Sequence, residues 1–247
     1  MLTTLLRTDE LRFLRNGDWI KAYGAWRRCD EREPAVVIVP DVRGLREHHR
    51  DIARRLANEG FFALVMDLYT REGTPQIDDM AAAMRRMEQV SDRRVVADID
   101  GAVRFLSSRP EVRARSIGIV GFGVGGLYAL LAACVVPGLQ ACVSFYGILR
   151  YTDKSDLKPQ SPLDLAKDLA CPFLGLFGED DELVPRADVK ELESVLRRSA
   201  KVFQTKIYPG AGHAFLNDTR PEAYRKEAAK DAWARAVAFL HKHLEDH

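Results

Sequence analysis

Residues 35–39 read AVVIV, an unbroken β-branched run with the composition of a strand covered on both faces inside a parallel sheet. Further strands are expected at 61–66 (FFALVM), 116–120 (SIGIV), 141–145 (ACVSF), 173–177 (FLGLF) and 202–207 (VFQTKI). Between them, apolar side chains fall at helical spacing. Ile52 and Leu56 do so within 47–59, and Val95, Val96, Ile99, Val103 and Leu106 within 92–108. Further helices are expected over 125–135, 186–198 and 221–244, and one within the long connection 68–91. Strands alternating with helices predict a doubly wound, mainly parallel α/β sheet with right-handed crossovers. The first 30 residues differ. Asn16-Gly17, a two-residue turn signal flanked by Leu11, Phe13, Trp19, Tyr23 and Trp26, predicts an antiparallel hairpin. No repeat, low-complexity tract or linker divides the chain, so one α/β domain over residues 1–247 is expected.

Ligands of such sheets sit beyond the carboxyl ends of the strands. After the 116–120 run comes GFGVGG at 121–126, opening a helix. Gly121, Gly123 and Gly126 satisfy the dinucleotide pattern GxGxxG, which would make the chain a nucleotide-binding oxidoreductase. The context is poor, because residues 141–145 hold no acidic side chain where a ribose would need one. The same residues fit a nucleophile elbow, G-x-Nuc-x-G, with Gly121 and Gly125 allowing strand and helix to approach. The nucleophile position then falls on Gly123. An acidic loop, GEDDELVP at 178–185, follows the 173–177 run. PGAGHAF at 209–215 follows the 202–207 run. The order elbow, Asp181, His213 is that of a catalytic triad in α/β-hydrolases, with Asp181 orienting His213 as base.

These segments, with VIVPDVRGL at 37–45 and MDLYTR at 66–71, make the chain similar to the dienelactone hydrolase family over essentially all of its length after the hairpin. The resemblance implies an α/β-hydrolase fold and hydrolysis of lactones or small carboxylic esters, through a cysteine in G-x-C-x-G-G and with no cofactor. Position by position, it implies that His213 is the base and Asp181 its orienting acid. The backbone N–H groups of Val42 and Val124 become an oxyanion hole. Asp41 takes the place of a glutamate that meets the resting thiol, and Arg71 that of an arginine that binds a substrate carboxylate. Two positions depart from the pattern. A second substrate arginine is replaced by Asn217, and the nucleophile by Gly123.

Glycine cannot form an acyl-enzyme. Cys134 lies some eight or nine residues into the next helix, roughly 12 Å along its axis, and Ser144 lies inside another strand. Glycine does suit the bend: it spares about 1–3 kcal/mol of backbone strain and leaves a hole beside His213 that holds a water if polar enough. Hydrolysis is therefore expected to be absent or weak. The chain is then a binding or regulatory protein on a hydrolase scaffold, a hydrolase in which Asp181 and His213 activate water directly, or an active cysteine or serine hydrolase whose nucleophile has been exchanged for an engineered glycine.

A formal net charge of +1, from 37 basic and 36 acidic residues, gives no attraction for nucleic acid. No apolar stretch approaches the ~20 residues that span a bilayer, and the N-terminus lacks a signal-peptide pattern. Four scattered cysteines suit a reduced, cytoplasmic protein. The expected partner is a small ester, lactone or carboxylate, with no metal. Tyr146 is expected to line the pocket. The polar 147–170 segment is expected to be a mobile loop over the active face. His48 and His49 are expected at the surface, with the pocket mouth as the alternative, and His241, His243 and His247 at a solvated helix end. Oligomeric state is not legible.

Overall fold

Asn16 and Gly17 both take positive φ, 50° and 90°, as a tight hairpin turn requires. The chain accordingly doubles back, β1 (Leu6–Arg15) pairing antiparallel with β2 (Asp18–Arg27). The computed structural model describes residues 5–77 and 79–244. The sheet continues with β3 (Glu33–Val39), β4 (Phe62–Met66), β5 (Val112–Phe122), β6 (Leu139–Phe145), β7 (Phe173–Gly178) and β8 (Phe203–Tyr208). Strand order is β1-β2-β4-β3-β5-β6-β7-β8. Every pairing from β4 to β8 is parallel, and β2 joins β4 antiparallel.

The β3 residues explain why the sheet is wrapped on both faces. Val36 and Ile38 pack with α1 (Glu47–Asn58) and α7 (Lys226–Leu244). Ala35, Val37 and Val39 pack on the other side with α3 (Asp92–Ser107), α4 (Val124–Val135) and α6 (Arg186–Arg198). All five β3 side chains are fully buried. Each large one contributes roughly 1.5–3 kcal/mol of transfer free energy, so a polar strand could not occupy this place. Trp26 is buried and stacks on Phe62, whereas Trp19 stays half exposed under the guanidinium of Arg12.

Three expectations need correction. The 68–91 connection does hold a helix, α2 (Met80–Gln89), but α7 begins at Lys226 rather than 221. The 147–170 segment carries a short helix, α5 (Pro162–Leu165), and is tied down instead of hanging loose. Within it Lys158 is 2% exposed. Its Nζ donates to Asp92 Oδ1 at 2.6 Å and to the Tyr128 hydroxyl at 2.7 Å, while the Tyr151 hydroxyl donates to Asp92 Oδ2 at 2.9 Å. Third, His48 and His49 are buried, at 5% and 1% exposure, because they share the inner face of α1 with Ile52 and Leu56. Near the C-terminus, the rings of His241 and His243 lie against Phe61 and Phe239, and His247 is outside the described residues. Among the described residues no helix is long and apolar enough to cross a membrane.

Candidate active site

β5 leads into α4 through Gly123, whose φ of 55° and ψ of −118° lie outside the regions open to residues with a Cβ. The chain is crowded on either side of this bend. A Cβ at Gly121 would overlap the carbonyl of Gly125, and one at Gly125 would overlap the carbonyls of Val39 and Pro40. The glycines two positions before and after 123 are thus imposed by backbone contact. Position 123 is different, because its nearest neighbours are side chains and not backbone. A Cβ would meet His213 Nε2 at 3.2 Å, His213 Cε1 at 3.7 Å and Asp41 Cβ at 3.8 Å.

His213 and Asp181 come from adjacent loops that the backbone locks together. Asp180 N–H donates to Ala211 O at 2.9 Å and Glu179 N–H to Tyr208 O at 3.0 Å. Asp181, with no exposed side-chain surface, then meets His213 Nδ1 through Oδ2 at 2.9 Å, and its Oδ1 accepts from Leu183 N–H at 2.9 Å. A buried carboxylate on Nδ1 places the proton there and leaves Nε2 as the basic nitrogen, aimed at position 123. Of the neighbouring acids, Glu179 pairs with Arg186 and Asp180 is exposed.

The turn after β3 supplies the opposite wall. Gly44 N–H donates to Asp41 O, and Arg43 N–H to Asp41 Oδ1 at 2.8 Å. The Tyr69 hydroxyl donates to Val42 O at 2.8 Å. The Asp41 N–H reaches His49 Nε2 at 3.3 Å, and His49 Nδ1 is buried without a partner. Burial pushes the His49 imidazole down to about 4, so it is a neutral acceptor at physiological pH. These contacts fix the backbone around Val42. Val124 N–H, at the first turn of α4, has no acceptor within its own helix. Gly123 N–H is used by Phe145 O at 3.0 Å, which removes one of the donors a phosphate at this bend would need.

Asp41, Val42, Gly123, Val124, Tyr146 and His213 all line one cavity of about 280 Å³. Its remaining wall is mainly apolar, with Ile77, Ala83, Met84, Met87, Ile148 and Leu183, and it also carries Asp79, Arg43 and Arg220. Tyr146 ends β6 at a positive φ of 43° and turns its ring edge-on to His213, 5.2 Å between centroids. Its burial raises the phenol well above its ordinary value, so it stays protonated. A second recess of about 520 Å³ adjoins this cavity, sharing Asp41, Arg43 and Arg220 and reaching Arg46, His48, His49 and Asn217.

Arg71 does not line either recess. Its guanidinium holds Asp98 with both Nη atoms, at 2.8 and 3.0 Å, and Asp18 through Nε at 2.6 Å. Arg71 is thus held outside the cavity where a substrate contact was expected; the cationic side chains in the cavity are Arg43 and Arg220. Arg43 donates to Ile77 O, and Arg220 to Glu222. Asn217 Oδ1 is engaged by Thr219 within its own loop. No cysteine substitutes for the missing nucleophile: Cys134 is buried, which pushes its thiol up to about 12, and Ser144 is fully buried against Gly126 and Gly147. Among the described residues, no three His, Cys, Asp or Glu side chains are grouped to hold a metal ion.

The fold has counterparts among known proteins. The pattern of the dienelactone hydrolase family matches residues 20–244. A Bradyrhizobium protein named "Probable 2-oxo-3-(5-oxofuran-2-ylidene)propanoate lactonase" is 37% identical over 244 residues, covering 99% of this chain and 98% of its own. An Escherichia coli K12 protein named "Putative carboxymethylenebutenolidase" is 37% identical over 227 residues, covering 91% of this chain and 83% of its own. The crystal structure of a "Putative Dienelactone Hydrolase" from Klebsiella pneumoniae superposes with a TM-score of 0.91 at 34% identity, covering 96% of this chain and 99% of the other.

Proposed function

Because this chain belongs to the dienelactone hydrolase family, we propose that it takes small lactones or carboxylic esters above Gly123 and hydrolyses them slowly, without an acyl-enzyme. The lactonase and carboxymethylenebutenolidase names of its relatives support a lactone as the substrate type. One observation carries the reading: a complete Asp181–His213 dyad points its free nitrogen, at 3.2 Å, to a nucleophile position with no side chain.

In this scheme the substrate carbonyl oxygen faces the N–H groups of Val42 and Val124, and a water stands between His213 Nε2 and the carbonyl carbon. His213 takes a proton from that water as it attacks. The oxyanion is held by the two N–H groups, and the buried Asp181 carboxylate stabilises the imidazolium. Collapse of the tetrahedral species returns the proton to the leaving oxygen. A positioned general base contributes about 10²–10⁴ in rate, far less than an intact triad, so turnover is slow. The cavity of about 280 Å³ lies at the small end of ligand sites and suits compact substrates.

The reading is tested by p-nitrophenyl acetate hydrolysis with unmodified protein and His213→Ala. Turnover without an initial burst is expected, falling to the buffer rate in the variant. Equal rates for the two proteins would mean that His213 is not the base.

A further inference from the structure

The space at position 123 is described by its three nearest atoms: His213 Nε2 at 3.2 Å, His213 Cε1 at 3.7 Å and Asp41 Cβ at 3.8 Å. A carbon atom placed there lies closer to Nε2 than an ordinary van der Waals contact, and at ordinary separations from the other two atoms. The closest of the three is the base nitrogen itself, so a substrate C–H held at this place meets it directly. With a carbonyl oxygen facing Val42 and Val124, the carbon next to the carbonyl is one bond from the carbonyl carbon and can occupy the space that a nucleophile's side chain would otherwise fill. Reacting atoms about 3–3.5 Å apart are at near-attack distance.

We propose that this chain is also a proton-transfer enzyme, in which His213 removes a proton from the carbon α to a lactone or ketone carbonyl and returns it at the same or a conjugated carbon. The proposal goes beyond hydrolysis: it uses the same base but needs neither water nor cleavage of the ester bond. His213 Nε2 takes the α-proton, and the C–H electron pair becomes the enolate π-bond. The negative charge goes to the carbonyl oxygen, facing the Val42 and Val124 N–H groups, in an arrangement that stabilises an enolate as well as a tetrahedral oxyanion. Asp181 stabilises the imidazolium on the far side, as it would for any general base. The imidazolium then delivers its proton to the γ-carbon of a β,γ-unsaturated substrate, giving the conjugated isomer, or back to the α-carbon. No electron is lost and no co-reactant is required.

The probe is α-angelica lactone, a β,γ-unsaturated five-membered enol lactone small enough for the cavity, followed by proton NMR in D₂O. Proton transfer deuterates the ring carbon next to the carbonyl and forms the conjugated β-angelica lactone, whereas hydrolysis forms levulinate. Deuteration or isomerisation roughly 100-fold above protein-free buffer is expected, as from a positioned base, and it should vanish in His213→Asn. Gly123→Ala is the second variant, because its methyl occupies the space at 3.2 Å from Nε2 and should suppress exchange even if His213→Asn does not fold. Levulinate without deuteration of the remaining lactone overturns the proposal and leaves the hydrolytic reading standing. Exchange without levulinate supports the proposal and counts against hydrolysis of this lactone, and both products together support both. Exchange at the buffer rate, or exchange unchanged in folded His213→Asn or Gly123→Ala, overturns it.

Discussion

Gly123 sits at a φ of 55° and ψ of −118° in a bend whose flanking glycines are packed against backbone. A side chain placed there presses on His213 Nε2 at 3.2 Å and takes an unfavourable backbone conformation that costs about 1–3 kcal/mol. Gly123→Cys is therefore expected to trade stability for chemistry. It should gain p-nitrophenyl acetate turnover of about 100-fold or more over the unmodified protein and acquire an acetyl adduct detectable by mass spectrometry. At roughly 2–4 °C per kcal/mol for a chain of this size, it should also melt several degrees lower. Gly123→Ala should lose the same stability and gain no adduct. A folded Gly123→Cys that remains at background would show that the dyad is not poised for nucleophilic chemistry. The sequence made the centre of this site legible because Gly123, Asp181 and His213 each follow a strand, in triad order, although β8 before His213 is a half-exposed edge strand. It misplaced Arg71, since the side chain turns to Asp98 and Asp18, partners 27 and 53 residues away that no local pattern encodes. Arg43 stood in a quoted motif, but its inward direction depends on the Asp41–Gly44 turn. Arg220 follows the His213 loop and carried no signal of its own.

At the level of elements, strands and helices with continuous or periodic apolar residues were legible to within a few positions, because burial on both faces leaves little choice of residue. Segments whose burial rests on polar contacts were not. Lys, Asp, Ser and Pro in 147–170 read as a solvated loop, yet Lys158 is buried against Asp92, which lies 66 residues earlier at the start of α3. His48 and His49 sit in step with Ile52 and Leu56 on α1, so helical periodicity did mark their face, but their polarity obscured it. The Lys158–Asp92 pair has the energetics of a buried ion pair. Desolvation raises Asp92 and lowers Lys158, each opposed by the other's charge. Removing one partner strands the other, so Lys158→Met is expected to cost roughly 3–5 kcal/mol in urea unfolding. Adding Asp92→Leu to it should recover much of that loss, because two apolar groups leave no buried charge. A loss below about 1 kcal/mol in the single variant, on the scale of an exposed pair, would mean that the pair does not anchor the segment.

Across the whole molecule, Asp41, Gly123, Tyr146, Asp181 and His213 follow five neighbouring parallel strands, so the integrity of one sheet edge sets the integrity of the site. The molecule's acid response should reveal this coupling. His49 is neutral and buried, with its imidazole at about 4 in the folded chain against an ordinary value of 6.5. The unfolded chain binds this proton below pH 6.5, while the folded chain refuses it until about pH 4. The unfolded state thus holds more protons across that window, and stability falls as pH drops from about 6.5 to 4. At 1.36 kcal/mol per pH unit the ceiling from His49 is about 3 kcal/mol. Burial lowers His48 in the same direction. Asp164 and Asp231, held low by Lys154 and Arg235, give up their contributions only below their ordinary value of 3.8, so the histidine step comes first. Urea midpoints measured from pH 7 to 4.5 should decline for the unmodified protein and decline less for His49→Gln, whose amide oxygen can accept the Asp41 N–H without titrating. Activity should decline over the same window, because a protonated His49 presents a donor to the Asp41 N–H and loosens the turn that carries the Val42 N–H. Superimposable profiles for the two proteins would show that His49 does not control the acid limb, and would remove the link between this buried imidazole and the site.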